Sequence, residues 1–251
     1  MQKLALITGA TAGIGLSTAK ILASNNYNLL LTGRRTQRLT EIKKNLEQEY
    51  STRVSIASFD ISKRQECEGF IKKHSVLLGK LNVLINNAGL AKGVDPIQSA
   101  QLDDWEAMVD TNIKGLFFVT RLCLPFLESN PESHIINISS VAGQWVYPGG
   151  GVYCSTKHAV SAFSQGLRMD LHGKGIRVTS ICPGLVETEF SKVRLNDEQK
   201  ATEVYKGMTP LTADDIAASI LWSLQRPKHV NIQEMTIFPT DQASVNLVHR
   251  E

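Results

Sequence analysis

Thiols are scarce in this chain: four cysteines in 251 residues, none forming a Cys-x-x-Cys pair. Cys67, Cys123, Cys154 and Cys182 therefore read as reduced side chains of a cytoplasmic protein, not as a disulfide or zinc framework. The six histidines are scattered without ligand spacing, so no metal is expected and a zinc dehydrogenase is disfavoured. Charge of either sign is not in excess. Twenty-seven basic against 24 acidic residues leave a net +3, too little to predict a nucleic-acid or membrane partner. Long hydrophobic runs are missing too: Leu116 to Leu127 is interrupted by Thr120, Arg121 and Pro125. The apolar residues 4–7 stop at Thr8-Gly9, far short of a signal-peptide core. Repeats and low-complexity linkers are absent, which leaves one α/β domain spanning 1–251 as the expectation.

What is present alternates. Apolar β-like runs at Leu4–Thr8, Asn28–Thr32, Val54–Phe59, Leu81–Ile85, His134–Ser139, Ile176–Cys182 and Ile232–Phe238 are separated by helical patterns. The helices are expected at 13–25, 36–50, 63–78, 103–129 (as one helix or two), 151–172 and 212–224. In 36–50, Leu39, Ile42 and Leu46 recur at 3–4 spacing with charges opposite. Such alternation predicts a doubly wound, Rossmann-type domain: a mainly parallel sheet covered on both faces. Residues 185–210 lack a clear period and read as a mobile lid. The stretch Leu116-Phe117-Phe118-Val119 is apolar on more than one face, which suits either a two-sided core helix or a subunit contact.

Two constellations carry chemistry. The turn Thr8-Gly9-x3-Gly13-x-Gly15 lies at the first strand–helix junction, where glycines let the backbone approach a pyrophosphate and the helix N-terminus offers free N–H groups. Strand two ends in Thr32-Gly33-Arg34-Arg35, with no acid for ribose hydroxyls; arginine suits a 2′-phosphate, so NADP is favoured over NAD. Arg34 is the better placed of the two, although Arg34, Arg35 and Arg38 would also suit a solvated helix start. Asp60 after strand three could accept from an adenine amino group. Asn86 and Asn87 after strand four could line the cleft or fix the loop. The second constellation is Tyr153-x3-Lys157 with Ser140 upstream. One helical turn puts Lys157 on the same face as Tyr153, and its charge is expected to lower a phenol pKa that is ordinarily about 10. Such a tyrosine exchanges a proton with an alcohol or carbonyl oxygen. Together with a dinucleotide that exchanges hydride, the pair spells alcohol oxidation or carbonyl reduction.

With TGATAGIG at 8–15, Asp60, NNAG at 86–89, Asn112 and Ser140…Tyr153-x3-Lys157 in order, the chain resembles the short-chain dehydrogenase/reductase family over nearly its whole length. The resemblance implies a general acid/base at Tyr153 and a hydrogen bond from Ser140, with Ser139 the weaker candidate, to the reacting oxygen. It further implies a Lys157 that holds the nicotinamide ribose, a water on Asn112, and Pro183-Gly184 beside the nicotinamide. Cofactor contacts are expected at Gly9, Thr11, Gly13, Ile14, Gly15, Arg34, Arg35, Asp60, Ile61, Asn87, Ala88, Gly89, Tyr153, Lys157, Pro183, Gly184, Val186 and Thr188. Dimers or tetramers are the family's habit, and a homotetramer is expected here, through 112–129 and 151–172.

Within the family, Thr32-Gly33-Arg34-Arg35, Trp105 to Lys114, Pro183 to Arg194 and the tail His229 to Arg250 are similar to the NADP-dependent 3-hydroxy acid dehydrogenases, which act on serine, L-allo-threonine and malonic semialdehyde. A small hydroxy acid needs a partner for its carboxylate, and Arg194 is the candidate because guanidinium binds carboxylate in two-pronged fashion. Gln144, Trp145 and Tyr147, between Ser140 and Tyr153, are expected to line the substrate pocket. The competing readings are a broad carbonyl or 3-ketoacyl reductase and a non-catalytic NADP-binding sensor.

Overall fold

The computed structural model describes residues 2–130 and 132–251. Seven strands, β1 (Leu4–Ile7), β2 (Asn28–Gly33), β3 (Val54–Ser58), β4 (Leu81–Asn86), β5 (His134–Ile138), β6 (Arg177–Pro183) and β7 (Glu234–Ile237), form one sheet in the order β3-β2-β1-β4-β5-β6-β7. All pairings are parallel. The strand period of two divides the apolar side chains between two cores. Ala5, Ile7, Leu29, Leu31, Val83 and Ile85 face one side; Leu4, Leu6, Leu30 and Leu84 face the other. Helices α1 (Gly13–Ser24), α2 (Thr36–Glu49) and α9 (Ala213–Leu224) cover the first core; α3 (Arg64–Leu78), α5 (Leu116–Glu128) and α6 (Gly151–Asp170) cover the second. Leu6, Leu30 and Leu84 are wholly buried, each contributing about 1.5–3 kcal/mol relative to an exposed leucine.

The order reverses between β1 and β4, which opens a crevice at their C-terminal ends. Every expected strand forms, within about two residues of its expected ends. Two expectations are refined. Residues 103–129 form a continuous run in which α4 (Leu102–Val109) passes through a π-helical turn (Asp110–Gly115) into α5. Gly115 in that turn lies where a Cβ would meet Ile61. The segment 185–210, read as a lid without a clear period, contains α7 (Glu189–Leu195) and α8 (Glu198–Glu203). Each is too short to display a helical period. Thr188 and Asp197 cap them through side-chain oxygens. Among the described residues no helix is long and apolar enough to cross a membrane, and all four cysteines are buried and unpaired.

Candidate active site

A cavity of about 700 Å³ runs along the C-terminal ends of the strands. At one end the β1–α1 turn supplies its wall. Gly9 and Gly13 have φ of +66° and +49°, which favours glycine, and both line the cavity with Thr11 and Ile14. The first turn of α1 has no side-chain cap and no acidic residue, so its amides and positive dipole end are left for an anion. Gly15 does not line the cavity. A Cβ there would overlap the Gly9 carbonyl and lie 2.5 Å from Asn87 Nδ2, so this glycine serves the packing of the turn. Asn87 Nδ2 donates to the carbonyls of Thr8 and Gly9 at 2.9 and 3.1 Å, bracing the same turn while lining the cleft with Ala88 and Gly89.

Arg34 and Arg35 both reach this end. Arg35 is held by Thr11 Oγ1 at 2.8 Å and by Glu189 of α7 at 3.0 Å. Arg34 is largely exposed, and its ion pair with Asp60 is long at 3.9 Å, which leaves its fork open to a ligand. Asp60 and Ile61 line the cavity beside it, and Ser62 N–H donates to Asp60 Oδ1 at 2.9 Å. Uncapped amides, two glycines and an open arginine fit a dinucleotide with an additional phosphate. Asn86 points elsewhere: its Nδ2 donates to Thr120 and Asn137 inside the fold, away from the cavity.

The reacting centre lies further along. Ser140, Tyr153 and Lys157 line one stretch of wall with Pro183, Gly184, Val186 and Thr188. Ser140 Oγ accepts from Ala142 N–H at 3.1 Å and donates to the Pro183 carbonyl at 3.3 Å. Ser139 is committed to the Lys157 carbonyl and Ser161, both at 3.2 Å. Lys157 Nζ donates to the Ile138 carbonyl at 2.9 Å and is 5.9 Å from the Tyr153 ring centroid. The expectation that Lys157 lowers the Tyr153 pKa needs correction. Both groups are buried, and burial dominates each: the Tyr153 phenol is pushed well above its ordinary value, and the Lys157 ammonium is brought down to about 8. The groups that draw Tyr153 back down are Ser140, through a hydrogen bond, and Arg194, through its charge. Asn112 lies behind the wall in the π-helical turn. Its Oδ1 accepts from Leu90 N–H at 2.8 Å, and its Nδ2 donates to the Leu90 carbonyl at 2.8 Å and Thr156 Oγ1 at 3.0 Å.

Arg194 is brought into the site by α7. Its guanidinium carbon is 5.4 Å from the Tyr147 ring centroid and 5.7 Å from that of Tyr153. Its Nη1 donates to Tyr147 Oη at 3.0 Å and its Nε to the Gly93 carbonyl at 3.2 Å, while Gly93 N–H donates back to the Arg194 carbonyl at 2.9 Å. Gln144 and Trp145 are not brought in. Gln144 is tied to Glu234 and to Thr236 (2.9 Å) of β7, and Trp145 packs 6.0 Å from Phe238 with much of its ring exposed. Both side chains follow the 3₁₀ turn Val141–Gly143, which aims them at the sheet edge. Sequence reasoning missed Leu90, Val94, Phe190, Tyr205 and Gln242, all of which line the cavity. None carries a motif: Leu90 and Val94 come from the loop after β4, Phe190 and Tyr205 from the 185–210 segment, and Gln242 from the tail.

Residues 3–199 match the family model for short chain dehydrogenases. A sulfoacetaldehyde reductase 2 of Chromohalobacter salexigens is 43% identical over 245 residues, covering 97% of this chain and 96% of that protein. The NADP-dependent 3-hydroxy acid dehydrogenase YdfG of Salmonella typhi is 44% identical over 248 residues, 98% of both chains. Among solved structures, the closed form of a serine dehydrogenase complexed with NADP+ superposes with a TM-score of 0.92 at 41% identity, covering 99% of this chain and 100% of that one. Identity of this order over nearly the full length, on a sheet that superposes throughout and with Ser140, Tyr153 and Lys157 on one cavity wall, places the chain: it belongs to the short-chain dehydrogenase family.

Proposed function

We propose that this enzyme uses NADP(H) to oxidise the hydroxyl of a small 3-hydroxy acid, such as serine or L-allo-threonine, or to reduce the matching carbonyl, as in malonic semialdehyde. The carrying observation is that Arg194 and Tyr147 stand beside Tyr153 in one cavity, so an acid anchor and a proton-transfer group can serve one small molecule. Tyr147 Oη accepts from Arg194, which holds both groups on the cavity wall beside Tyr153.

In oxidation, Tyr153 as phenolate takes the hydroxyl proton. Ser140 turns its hydroxyl from the Pro183 carbonyl to the reacting oxygen and stabilises the charge that develops there. The bound dinucleotide supplies hydride exchange. Lys157, whose Nζ sits beside Gly89, holds the ribose hydroxyls. Asn112 fixes Leu90 and Thr156, and so steadies both walls next to Lys157. Reduction is the reverse. Arg34 takes the 2′-phosphate and Asp60 the adenine. The protein works in the cytoplasm as a homotetramer assembled partly through α5 and α6.

The relative that acts on sulfoacetaldehyde favours a second substrate reading on the same site. Malonic semialdehyde and sulfoacetaldehyde both place an acid group one methylene from the aldehyde carbon, and guanidinium binds either acid. A broad carbonyl reductase would not need a cation at this position, and a cofactor sensor would not need the proton-transfer group. The test is a set of steady-state rates with NADP+ and NAD+ on L-serine, L-allo-threonine, 3-hydroxyisobutyrate and 2-hydroxyethanesulfonate, against the methyl esters of the carboxylic acids. We expect NADP+ and the free acids to be preferred, and Tyr153→Phe to lose about 10²–10⁴ in turnover. Equal rates on acids and esters would sink the substrate assignment; wild-type turnover in the Phe variant would sink the mechanism.

A further inference from the structure

Gln242 lies in the tail that follows β7. It is 4% exposed, yet it lines the cavity. Its Oε1 accepts from the Leu185 N–H at 2.8 Å. That bond settles which way the amide faces, because only the oxygen can accept from an N–H. The Nε2 must then be the other end, and among the described residues it donates to no protein group. Its position is fixed from three sides. Gln242 N–H donates to the Pro239 carbonyl at 2.9 Å, Gln242 bridges to Val248, and His249 N–H donates to the Asp241 carbonyl at 2.7 Å. Gly184 matches it, since a Cβ there would overlap Gln242 Oε1.

Sheet order says which part of a ligand this donor meets. Arg34 and Asp60 follow β2 and β3, Ser140 follows β5, Gly184 follows β6, and Gln242 follows β7. A dinucleotide laid from Arg34 would bring its reactive end to the loops after β5 and β6, beside Ser140 and Gly184. Gln242 lies against Gly184 and Leu185, at the reacting end of the cavity. With the rest of the residue buried, the surface left to Nε2 is in the cavity, where a ligand oxygen can accept from it.

We propose that Gln242 is a specificity-determining residue: its Oε1 holds Leu185, and its Nε2 donates to the acid group of the substrate. This rests on the acid-substrate reading above. Arg194 supplies the charge and Gln242 a fixed, uncharged direction, so that a carboxylate or sulfonate oxygen is read from two walls.

The two ends of the amide can be tested separately. Gln242→Glu, assayed at pH 9 where the carboxylate is ionised, keeps an acceptor for Leu185 N–H but replaces the donor by a negative oxygen. We expect its NADP+ dissociation constant, from fluorescence titration, to stay within about threefold of wild type, and its KM for a 3-hydroxy acid to rise about ten- to a hundredfold, while KM for the methyl ester stays within about threefold. Gln242→Met removes both ends; it should lose the acid preference and weaken NADP+ as well, and it decides the matter if the Glu variant does not fold. An unchanged acid-to-ester ratio in either folded variant overturns the proposal. So does a loss of NADP+ affinity in the Glu variant that accounts equally for both substrates, which would mean the donor serves the cofactor. A wild-type enzyme with no preference for acids would remove the acid-substrate reading itself, and this proposal with it.

Discussion

The Tyr153 hydroxyl gains reactivity from its neighbours against the opposition of its own burial. Burial is the largest influence and raises its pKa; Tyr147 adds to the rise, while the Ser140 hydrogen bond and the Arg194 charge act downward. Oxidation requires phenolate, so its rate should climb with pH as Tyr153 deprotonates. Removing Arg194 removes a charge that favours phenolate, and the sign is then fixed: the climb moves to higher pH. For a cation about 6 Å away across a cleft that water reaches, Arg194→Ala should shift it by about 0.5–1 pH unit, and Arg194→Lys should restore much of it. The pH profile of kcat should be recorded on an uncharged alcohol, where anchoring of an acid plays no part. An unmoved profile would confine Arg194 to substrate binding. Tyr153 and Lys157 were legible in the sequence because chemistry demands those residue types one helical turn apart, and Ser140 was legible as the serine upstream of them just after β5. The sign of the Tyr153 shift was not, because burial is a property of the packed fold.

Elements place these side chains. The β1–α1 turn is the clearest example: Gly15 never meets the cavity, yet a methyl group there would drive into Gly9 and Asn87, the two residues that shape it. Gly15→Ala should therefore cost about 1–3 kcal/mol of stability by overpacking, and should weaken NADP+ about tenfold by displacing the turn. Thermal denaturation and cofactor titration would check both; a stable variant with intact affinity would show that the turn has slack. The glycine spacing is enough to locate this element, since strand, turn and helix follow one another directly in the chain. The π-helical turn Asp110–Gly115 was invisible by comparison. It adds one residue to a helical turn so that Asn112 reaches Leu90 and Thr156, and its apolar pattern reads as ordinary helix. The helices α7 and α8 were equally hidden. They are short, are stabilised by caps and by contacts such as Ser191 to Tyr205 at 2.7 Å, and owe little to their own amphipathicity.

At the scale of the molecule, two faces of one sheet are filled by a period-two division of strand residues, and the outer helices close over them. Phe117 of α5 lies 4.3 Å from Phe163 of α6, centroid to centroid, and both rings remain half-buried. An aromatic pair left half in water on adjacent helices suits burial against a second copy. Sedimentation at micromolar concentration should give a species about four times the 27.6 kDa chain mass, and Phe117→Glu should shift it toward smaller species. A wild-type monomer under those conditions would overturn the tetramer.

The amino-acid sequence alone determined the alternating strands and helices, the dinucleotide turn, the missing strand-two acid with its arginines, and the Ser140, Tyr153 and Lys157 set. Each of these rests on local spacing or on a residue type that the chemistry requires. Tertiary structure alone decided that Gln144 turns to β7 while Arg194 crosses to Gly93 and Tyr147. It also decided that burial is the largest influence on Tyr153, and that Gln242, far beyond Gly184 in the chain, presses its carbonyl oxygen against it. Such contacts join segments far apart in the chain, and no local period encodes where two distant segments will meet.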